Sequence, residues 1–296
     1  MAAYRRLPAR RNFLLATKWL ACGCQKRFTA TASSGRASFD AAEDSMAGFQ
    51  DEQAEERYRK FEEGFKLYDT HIPTTIAQKA LLSVGSAFMA LYNPYRSDMV
   101  ATLGETTGFV ARQLMLYRMK QDPVGREILR LQPRVKSWTV DLNEMRSLQE
   151  GTFGREYARF MDDNGLDQDS RDDVKFVDDI ELAYVMQRYR DIHDFTHTLT
   201  GLPTVSVAGE IAVKWFEMVQ TGLPMCTLGS IFGPLNPEVT PKHREQLRSY
   251  YIPWALSNGM KAKFIMNVFY ERHFEEPIDS LRKKMNLTPA RRLDGW

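Results

Sequence analysis

An uninterrupted helix-forming stretch constrains the fold of this chain more than any other feature. No glycine or proline occurs from Ile180 to Thr200, and Gly201 and Pro203 end the stretch. Leucine, alanine, methionine, glutamine and arginine, all good helix formers, supply much of it. An apolar-periodic segment follows from Glu210 to Val219. The sequence therefore predicts two consecutive helices joined by a short loop, which is a helical hairpin.

Residue types that bind metals are concentrated on this hairpin. His193, Asp194 and His197 fall within about one helical turn, where residues three or four apart share a face. The hairpin would return Glu210 to the two imidazoles. Two neutral imidazoles with one or two carboxylates suit zinc, iron, manganese or cobalt. We therefore predict a metal site with His193, Asp194, His197 and Glu210 as its ligands and catalytic residues.

Two other metal motifs fit this segment less well. In zinc proteases of the H-E-x-x-H type a glutamate follows the first histidine, whereas Asp194 follows His193 here. An HD-type phosphohydrolase needs another histidine well upstream, and His71 is the only one available. A hydrogen-bonded histidine pair without any metal is the remaining alternative.

Helix start and stop signals recur along the rest of the chain, whereas strand-like alternation is scarce. Asp122-Pro123 and Thr240-Pro241 each combine a capping residue with a proline suited to a first helical turn. We predict a mainly α fold, in which residues 41–296 form one bundle-like helical domain with the metal site on the hairpin. The further helices are expected over residues 72–91, 104–120, 123–133 and 240–251, with a last one between Asn258-Gly259 and His273.

The first 39 residues have the composition of a mitochondrial presequence. They contain eight basic residues and no acidic one, and their apolar run is too short and too basic for a secretory signal. Without those eight, 32 basic residues face 38 acidic ones, a net charge of −6. We predict a presequence and linker over residues 1–40. The acidic balance of the remainder argues against nucleic-acid binding, so no nucleic-acid partner is expected.

Cysteine use and hydropathy exclude two further features. Cys22 and Cys24 fall in the predicted presequence, which leaves Cys226 alone, so neither an internal disulfide nor a cysteine-rich metal site is expected. The most apolar run, residues 80–92, has 13 residues, which is short of the roughly 20 that span a bilayer.

Several blocks of the sequence resemble the ubiquinone (coenzyme Q) biosynthesis protein 4 family, from about Glu62 to Pro277. The family's metal motif is His-Asp-x-x-His, a spacer and Glu, and it corresponds to His193, Asp194, His197 and Glu210. The spacer of 12 residues is one longer than the family pattern, and the extra residue falls in the predicted loop. The other matching blocks are 93–108, Gly151-Thr152-Phe153-Gly154, 176–190, Val213-Lys214-Trp215-Phe216-Glu217, 251–255 and 266–268.

The resemblance implies a metal-dependent enzyme of the mitochondrial ubiquinone-synthesis complex. The implied reaction is oxidative decarboxylation (C1 hydroxylation) of a polyprenylated 4-hydroxybenzoate intermediate, which replaces the ring carboxylate with a hydroxyl. The alternative is a non-catalytic, lipid-binding scaffold that organises the complex. The implied cofactor is a divalent metal ion, zinc first, with iron, manganese or cobalt as alternatives. The implied location is peripheral, on the matrix side of the mitochondrial inner membrane. The expected partners are other ubiquinone-biosynthesis enzymes, the polyprenylated phenol substrate, the inner-membrane surface and further copies of the chain.

Two more residues are candidates for substrate binding. Arg96, near the turn at Asn93-Pro94, could bind the substrate carboxylate as a bidentate partner or form a solvated salt bridge with Asp98. Glu217 lies seven residues after Glu210, on nearly the same helical face, and could support the metal site, replace Glu210 or contact substrate. Helices rich in methionine and aromatic residues form either ordinary core or a tunnel for an isoprenoid chain. The residues concerned are Phe88, Met89, Leu91, Leu114, Met115, Leu116, Tyr117, Phe264, Met266 and Phe269.

Overall fold

Capping side chains and prolines mark the helix ends in the computed structural model, which describes residues 66–93, 96–203 and 206–295. The Asp122 carboxylate accepts hydrogen bonds from the amides of Val124 and Gly125, and the Thr240 hydroxyl accepts one from the amide of His243. A proline follows each capping residue, as predicted. The helices are α1 (Ile76–Tyr92), α2 (Ser97–Thr107), α3 (Phe109–Gln121), α4 (Pro123–Leu131), α5 (Leu142–Ser147), α6 (Phe153–Asn164), α7 (Ile180–Asp191), α8 (His193–Thr200), α9 (Val207–Thr221), α10 (Pro224–Phe232), α11 (Pro241–Gln246), α12 (Ile252–Lys261) and α13 (Ile278–Lys284).

The mainly α prediction is confirmed. Within the described ranges there is no β-strand, only one isolated bridge between Thr152 and Pro277, and these ranges belong to one compact helical unit. In the same ranges no helix is long and apolar enough to cross a membrane. The predicted presequence and linker over residues 1–40 lies outside the described residues and stays a prediction.

Two glycines have roles other than those the sequence suggested. The helix expected over 104–120 is instead two helices that meet at Gly108, where a Cβ would lie 2.5 Å from the Gly104 carbonyl oxygen. Gly259 does not separate two helices. It lies inside α12, where a Cβ would come within 2.8 Å of Val219 of α9. Glycine therefore permits close helix packing at this position.

The C-terminal region also differs from the sequence prediction. Residues expected to form a helix ending near His273 form two short 3-10 turns, Ile265–Asn267 and Tyr270–Arg272. The helix α13 that follows was not predicted. A π-helical turn, Leu247–Tyr251, joins α11 to α12. Proline has no backbone N–H to donate, and the wider turn that precedes Pro253 lets the chain stay helical there.

The two helices expected around the metal motif are present, with an additional break at Ile192. This residue caps both α7 and α8, so the two histidines lie on a short helix of their own. Gly201 then ends α8 with a φ of +72°, a conformation that glycine adopts readily. At the start of α9, a Cβ on Gly209 would lie 2.1 Å from the carbonyl oxygen of Pro203. Glycine at this position therefore lets α9 begin close to the end of α8, which positions Glu210.

Candidate metal centre

Three of the predicted ligands converge in the structure. The Nε2 atoms of His193 and His197 are 3.2 Å apart. A Glu210 carboxylate oxygen lies 3.3 Å from His193 Nε2, and the other oxygen lies 3.0 Å from His197 Nε2. Bonds of about 2.0–2.2 Å to a tetrahedral ion would place ligand atoms roughly 3.3 Å apart. The three side chains are therefore spaced to hold one divalent ion, and they form the metal-capable group that the described residues contain.

The opposite ring nitrogens orient both imidazoles. His197 Nδ1 lies 3.0 Å from the carbonyl oxygen of Leu202, which can only accept, so Nδ1 carries the proton. His193 Nδ1 donates to the carboxylate of Glu217 at 2.6 Å. Each neutral ring then presents an Nε2 lone pair towards the other ring and towards Glu210. Histidines bound to metals are typically oriented in this way by a carbonyl or carboxylate acceptor.

Glu217 lies at the centre of a layer of hydrogen-bonded side chains behind His193. Its side chain is 0% exposed, and its second oxygen accepts hydrogen bonds from the Tyr189 hydroxyl at 2.6 Å and from Lys214 Nζ at 2.8 Å. Lys214 Nζ also lies 3.2 Å from a Glu210 oxygen. Glu210, Lys214 and Glu217 occupy one face of α9 because they are four and three residues apart. Glu217 therefore supports His193, and it is not among the residues lining the cavity described below.

Both carboxylates of this layer remain ionised. Burial opposes the charge on Glu210, but Lys214 and His193 outweigh it and hold the pKa of Glu210 well below its usual value. The same partners hold the pKa of Glu217 below its usual value against burial. Burial lowers the pKa of His193, but the carboxylates of Glu217 and Glu210 outweigh that effect and raise it. An excess of negative charge therefore faces the two imidazoles, which suits a bound cation.

The residues present fit a divalent metal ion. Two neutral imidazole nitrogens and an anionic carboxylate point lone pairs at one another within 3.3 Å. Without a cation or an added proton this arrangement is repulsive. Three protein ligands also leave a coordination position open, which is the pattern of catalytic zinc sites; structural sites usually have four.

Asp194 is placed elsewhere. Its carboxylate lies 2.6 Å from Nη2 of Arg171, and it does not belong to the group of His193, His197 and Glu210. Adjacent helical residues point about 100° apart around the axis, since 3.6 residues complete a turn. The structure therefore does not bring Asp194 to the other three side chains, and a ligand or catalytic role for it stays a prediction.

Arg96 also lies away from the site. Its guanidinium forms two hydrogen bonds with Asp98, at 2.8 and 2.7 Å, and its side chain is 46% exposed. This is the solvated salt bridge that the sequence offered as the alternative. Asp98 lines the cavity, whereas Arg96 is not among its lining residues.

A cavity of about 710 Å³ lies against the candidate metal centre, with His193, Glu210 and Lys214 in its wall. The size is in the range of small-molecule sites. The wall is mostly apolar, with contributions from α1, α2, α9 and α10. Of the residues suggested for an isoprenoid tunnel, Leu91 lines the cavity, Met115 and Met266 belong to the core, and Phe88, Leu114 and Tyr117 are exposed. The apolar lining residues are Ala87, Ala90, Leu91, Val100, Ala101, Leu103, Leu166, Val207, Ile211, Met225, Leu228, Phe232, Leu235 and Pro237.

Three cationic residues of the cavity wall were not singled out from the sequence: Lys214, Arg171 and Arg190. Lys214 could have been found, because it lies four residues after Glu210 and three before Glu217 on one helical face. Arg190 lies on the predicted helix, but nothing in its spacing indicates that it faces a cavity. Arg171 lies in an irregular segment between α6 and α7, where periodicity gives no signal.

Comparisons with known proteins cover most of the residues that the structure describes. The family model for coenzyme Q (ubiquinone) biosynthesis protein Coq4 matches residues 68–291. The mitochondrial ubiquinone biosynthesis protein COQ4 homologs of Bos taurus and Homo sapiens are 51% and 50% identical over 230 residues, which are 77% of this chain and 86% of each relative. A solved structure from Nostoc punctiforme, assigned provisionally to ubiquinone biosynthesis, shares the fold. Its TM-score is 0.55 at 19% identity, and the match covers 69% of this chain and 95% of that one.

The match of the family model over most of the chain agrees with the identity near one half to two mitochondrial relatives. They also agree with the sequence blocks that carried the resemblance. The chain belongs to the Coq4 family of coenzyme Q (ubiquinone) biosynthesis proteins and has a role in ubiquinone biosynthesis.

Proposed function

We propose that this protein catalyses the metal-dependent oxidative decarboxylation (C1 hydroxylation) of a polyprenylated 4-hydroxybenzoate intermediate. The observation that carries the proposal is the convergence of His193 Nε2, His197 Nε2 and Glu210 within 3.3 Å. Two of these side chains lie in the wall of a largely apolar cavity. The polar side chains of the wall suit the reacting ring of the substrate, and the apolar side chains suit its prenyl chain.

His193, His197 and Glu210 would hold the ion, while Glu217 and the Leu202 carbonyl keep the two imidazoles oriented. When bound, a divalent ion would supply Lewis-acid stabilisation of phenolate or carboxylate charge and, if redox-active, a route for electrons to dioxygen. Zinc, iron, manganese and cobalt all accept this ligand set.

The charge of the site favours an anionic substrate once the metal is present. With both imidazoles neutral, Glu210 and Glu217 carry two negative charges against one positive charge on Lys214. A divalent ion would change the net charge from −1 to +1. An aromatic carboxylate would then neutralise the site, which favours binding of the ring acid over its uncharged product.

The reaction balances with dioxygen as the oxidant. The bond between ring carbon one and the carboxylate breaks with release of carbon dioxide, and a carbon–oxygen bond forms at the same ring carbon. The ring carbon loses two electrons. If the hydroxyl oxygen comes from water, dioxygen accepts these electrons and two protons and leaves as hydrogen peroxide. No further reductant is required.

Location and partners form part of the same proposal. The curated relatives are named as mitochondrial proteins, and we place this protein on the matrix side of the inner membrane as a peripheral member of the ubiquinone-synthesis complex. Its partners would be the other enzymes of that complex and further copies of the chain. Exposed apolar side chains on α1 and α3, such as Leu81, Phe88 and Val110, support attachment to a lipid surface.

The test is turnover by purified protein of known metal content. Full-length protein loaded separately with zinc, iron, manganese or cobalt would be incubated under air with 3-farnesyl-4-hydroxybenzoate. Carbon dioxide, the hydroxylated ring and hydrogen peroxide would be quantified. We expect the first two in equal amounts with at least one metal, and none with His197→Ala. Absence of product with every metal would contradict the catalytic proposal.

A non-catalytic lipid-binding scaffold is the second candidate, and the exposed apolar face of α1 favours it. Cells carrying His197→Ala at normal abundance would distinguish the two functions. Under the enzyme proposal the ring-carboxylated intermediate accumulates while the complex stays assembled. Under the scaffold proposal the partner proteins dissociate, and several intermediates change together.

A further inference from the structure

Two guanidinium groups lie in the same cavity wall as His193 and Glu210. Arg171 comes from the irregular segment before α7, and Arg190 comes from the last turn of α7. Their side chains are 36% and 10% exposed. The proposed reaction gives neither of them a role so far.

The guanidinium of Arg171 is held by a single hydrogen bond among the described residues. Its Nη2 donates to the carboxylate of Asp194 at 2.6 Å, and the Asp194 side chain is 10% exposed. A guanidinium has five N–H donors, and most of those of Arg171, which lines the cavity, make no hydrogen bond to the described residues. Burial opposes its charge, but Asp194 and Glu210 outweigh burial and raise the pKa of Arg171. The guanidinium therefore stays charged near the Glu210 carboxylate.

Arg190 is held beside it by Glu105. Arg190 Nη1 donates to one Glu105 oxygen at 2.9 Å, and the other oxygen accepts the amides of Lys175 and Phe176 at 2.8 Å each. Glu105 thus ties α7 to the segment that follows Arg171. Burial lowers the pKa of Arg190, and the positive charge of Arg171 lowers it further, so the two guanidiniums interact.

The acidic residues nearby do not fill this donor capacity. Asp98 and Asp172 also line the cavity, but each is paired with a cation outside the lining: Asp98 with Arg96 at 2.7 Å and Asp172 with Lys175 at 2.8 Å. Arginine binds carboxylates through two parallel hydrogen bonds, a geometry that lysine cannot supply. A planar carboxylate is therefore the ligand that suits this part of the wall.

We propose that Arg171, with Arg190 beside it, binds the ring carboxylate of the substrate, and that Asp194 and Glu105 are positioning residues for the two guanidiniums. This inference rests on the proposed function, since it names the residues that recognise the group to be removed. It also gives Asp194 a purpose that does not require it to bind metal.

The test compares binding of the acid with binding of its decarboxylated counterpart. Zinc-reconstituted full-length protein would be titrated with 3-farnesyl-4-hydroxybenzoate and with 2-farnesylphenol, and the ratio of dissociation constants would be measured for wild type, Arg171→Gln and Arg171→Lys. Arg134→Gln is the matched control, because Arg134 is also partly exposed and bonded to the buried carboxylate of Asp191 but does not line the cavity.

We expect wild type and Arg134→Gln to prefer the acid. Arg171→Gln should weaken acid binding by about 10–100-fold, as for loss of a charged hydrogen bond, and leave phenol binding unchanged, with Arg171→Lys between the two. Equal weakening of both ligands, an unchanged ratio in Arg171→Gln, or no preference in wild type would overturn the inference. If Arg171→Gln does not fold, the Arg171→Lys and wild-type ratios still decide. Preference for the acid without turnover would contradict the proposed reaction but not this inference. Turnover by wild type, with the same ratio of dissociation constants in Arg171→Gln as in wild type, would contradict this inference but not the reaction.

Discussion

Helices α8 and α1 reverse the usual relation between polarity and burial. All eight residues of α8 are buried, although six of them are histidine, aspartate or threonine and only two are aromatic or aliphatic. The one buried residue of α1 is Ser86, while Ile76, Leu81 and Phe88 are 84%, 75% and 70% exposed.

The difference indicates two kinds of function. Buried polar groups are costly unless every one is hydrogen-bonded, so a polar helix in the interior indicates a site whose chemistry needs those groups. A large exposed apolar surface indicates a partner or a membrane. The part of the molecule around the candidate metal centre should therefore be sensitive to single substitutions, and the α1 surface should affect association and leave stability nearly unchanged.

The largest expected effect is on metal content. His197→Ala removes one of the three proposed ligands and should reduce bound metal to background, while the far-ultraviolet circular dichroism stays close to that of wild type. His193→Ala should do the same. Elemental analysis after dialysis measures the stoichiometry, and His273→Ala is the matched control because His273 lies outside the metal-capable group. Full metal occupancy in the double variant, His193→Ala with His197→Ala, would contradict the proposed metal site.

The comparison of the two helices is tested by a pair of phenylalanines. Phe195 on α8 is 0% exposed and contacts the rings of Phe153, Tyr157 and Tyr270. Phe195→Ala should reduce the free energy of unfolding by about 3–5 kcal/mol. Phe88→Ala should change it by no more than about 0.5 kcal/mol. Urea denaturation measures both, and similar values for the two variants would break the contrast.

Removing the orienting carboxylate should weaken the site without abolishing it. Glu217→Gln keeps the shape but loses the charge that holds His193 Nδ1, and it should lower metal affinity about 10–100-fold. Competition with a chelator of known affinity measures the change. Glu181→Gln, at an exposed position of α7, should leave the affinity unaltered. Complete metal loss with Glu217→Gln would make Glu217 itself a ligand.

Metal affinity should also depend on pH in a definite direction. The pKa of His193 is raised above its usual 6.5 in the metal-free site, and a bound metal requires the unprotonated ring. Below that raised pKa a proton must leave, so the apparent affinity should fall as pH falls, by up to about tenfold per pH unit for one proton. Because Glu217→Gln removes an anion beside His193, it should move the onset of this fall to lower pH. An unchanged onset would contradict the assigned role of Glu217.

The smallest effect on the fold should come from the α1 surface. Leu81→Ser combined with Phe88→Ser should leave unfolding nearly unchanged but reduce co-sedimentation with vesicles of phosphatidylcholine and cardiolipin. A pair of exposed charged positions, Glu245→Ser with Arg248→Ser, serves as control. Equal co-sedimentation of wild type and both double variants would show that the α1 surface does not contribute to membrane attachment.

The histidines and Glu210 could be predicted from spacing, because i,i+4 placement on a helix and a short loop are properties of the local sequence. The break at Ile192 could not, since isoleucine carries no stop signal. In the structure the Asp191 carboxylate beside it binds Arg134 and the Val135 amide, which are distant in sequence. The pairing of Asp194 with Arg171 depends on tertiary packing in the same way, and so does the close approach of Gly259 to Val219. Long-range contacts decided these three positions.

X-ray absorption spectroscopy of the zinc-reconstituted full-length protein tests the central claim most directly. The arrangement of His193, His197 and Glu210 predicts a first coordination sphere with two imidazoles and oxygen at about 2.0–2.2 Å, and no sulfur, although Cys226 lies 3.8 Å from Glu217. His197→Ala should lose the imidazole scattering together with the metal. A spectrum of the wild type with no histidine scattering, or with a zinc–sulfur distance of about 2.3 Å, would contradict the metal centre proposed for this protein.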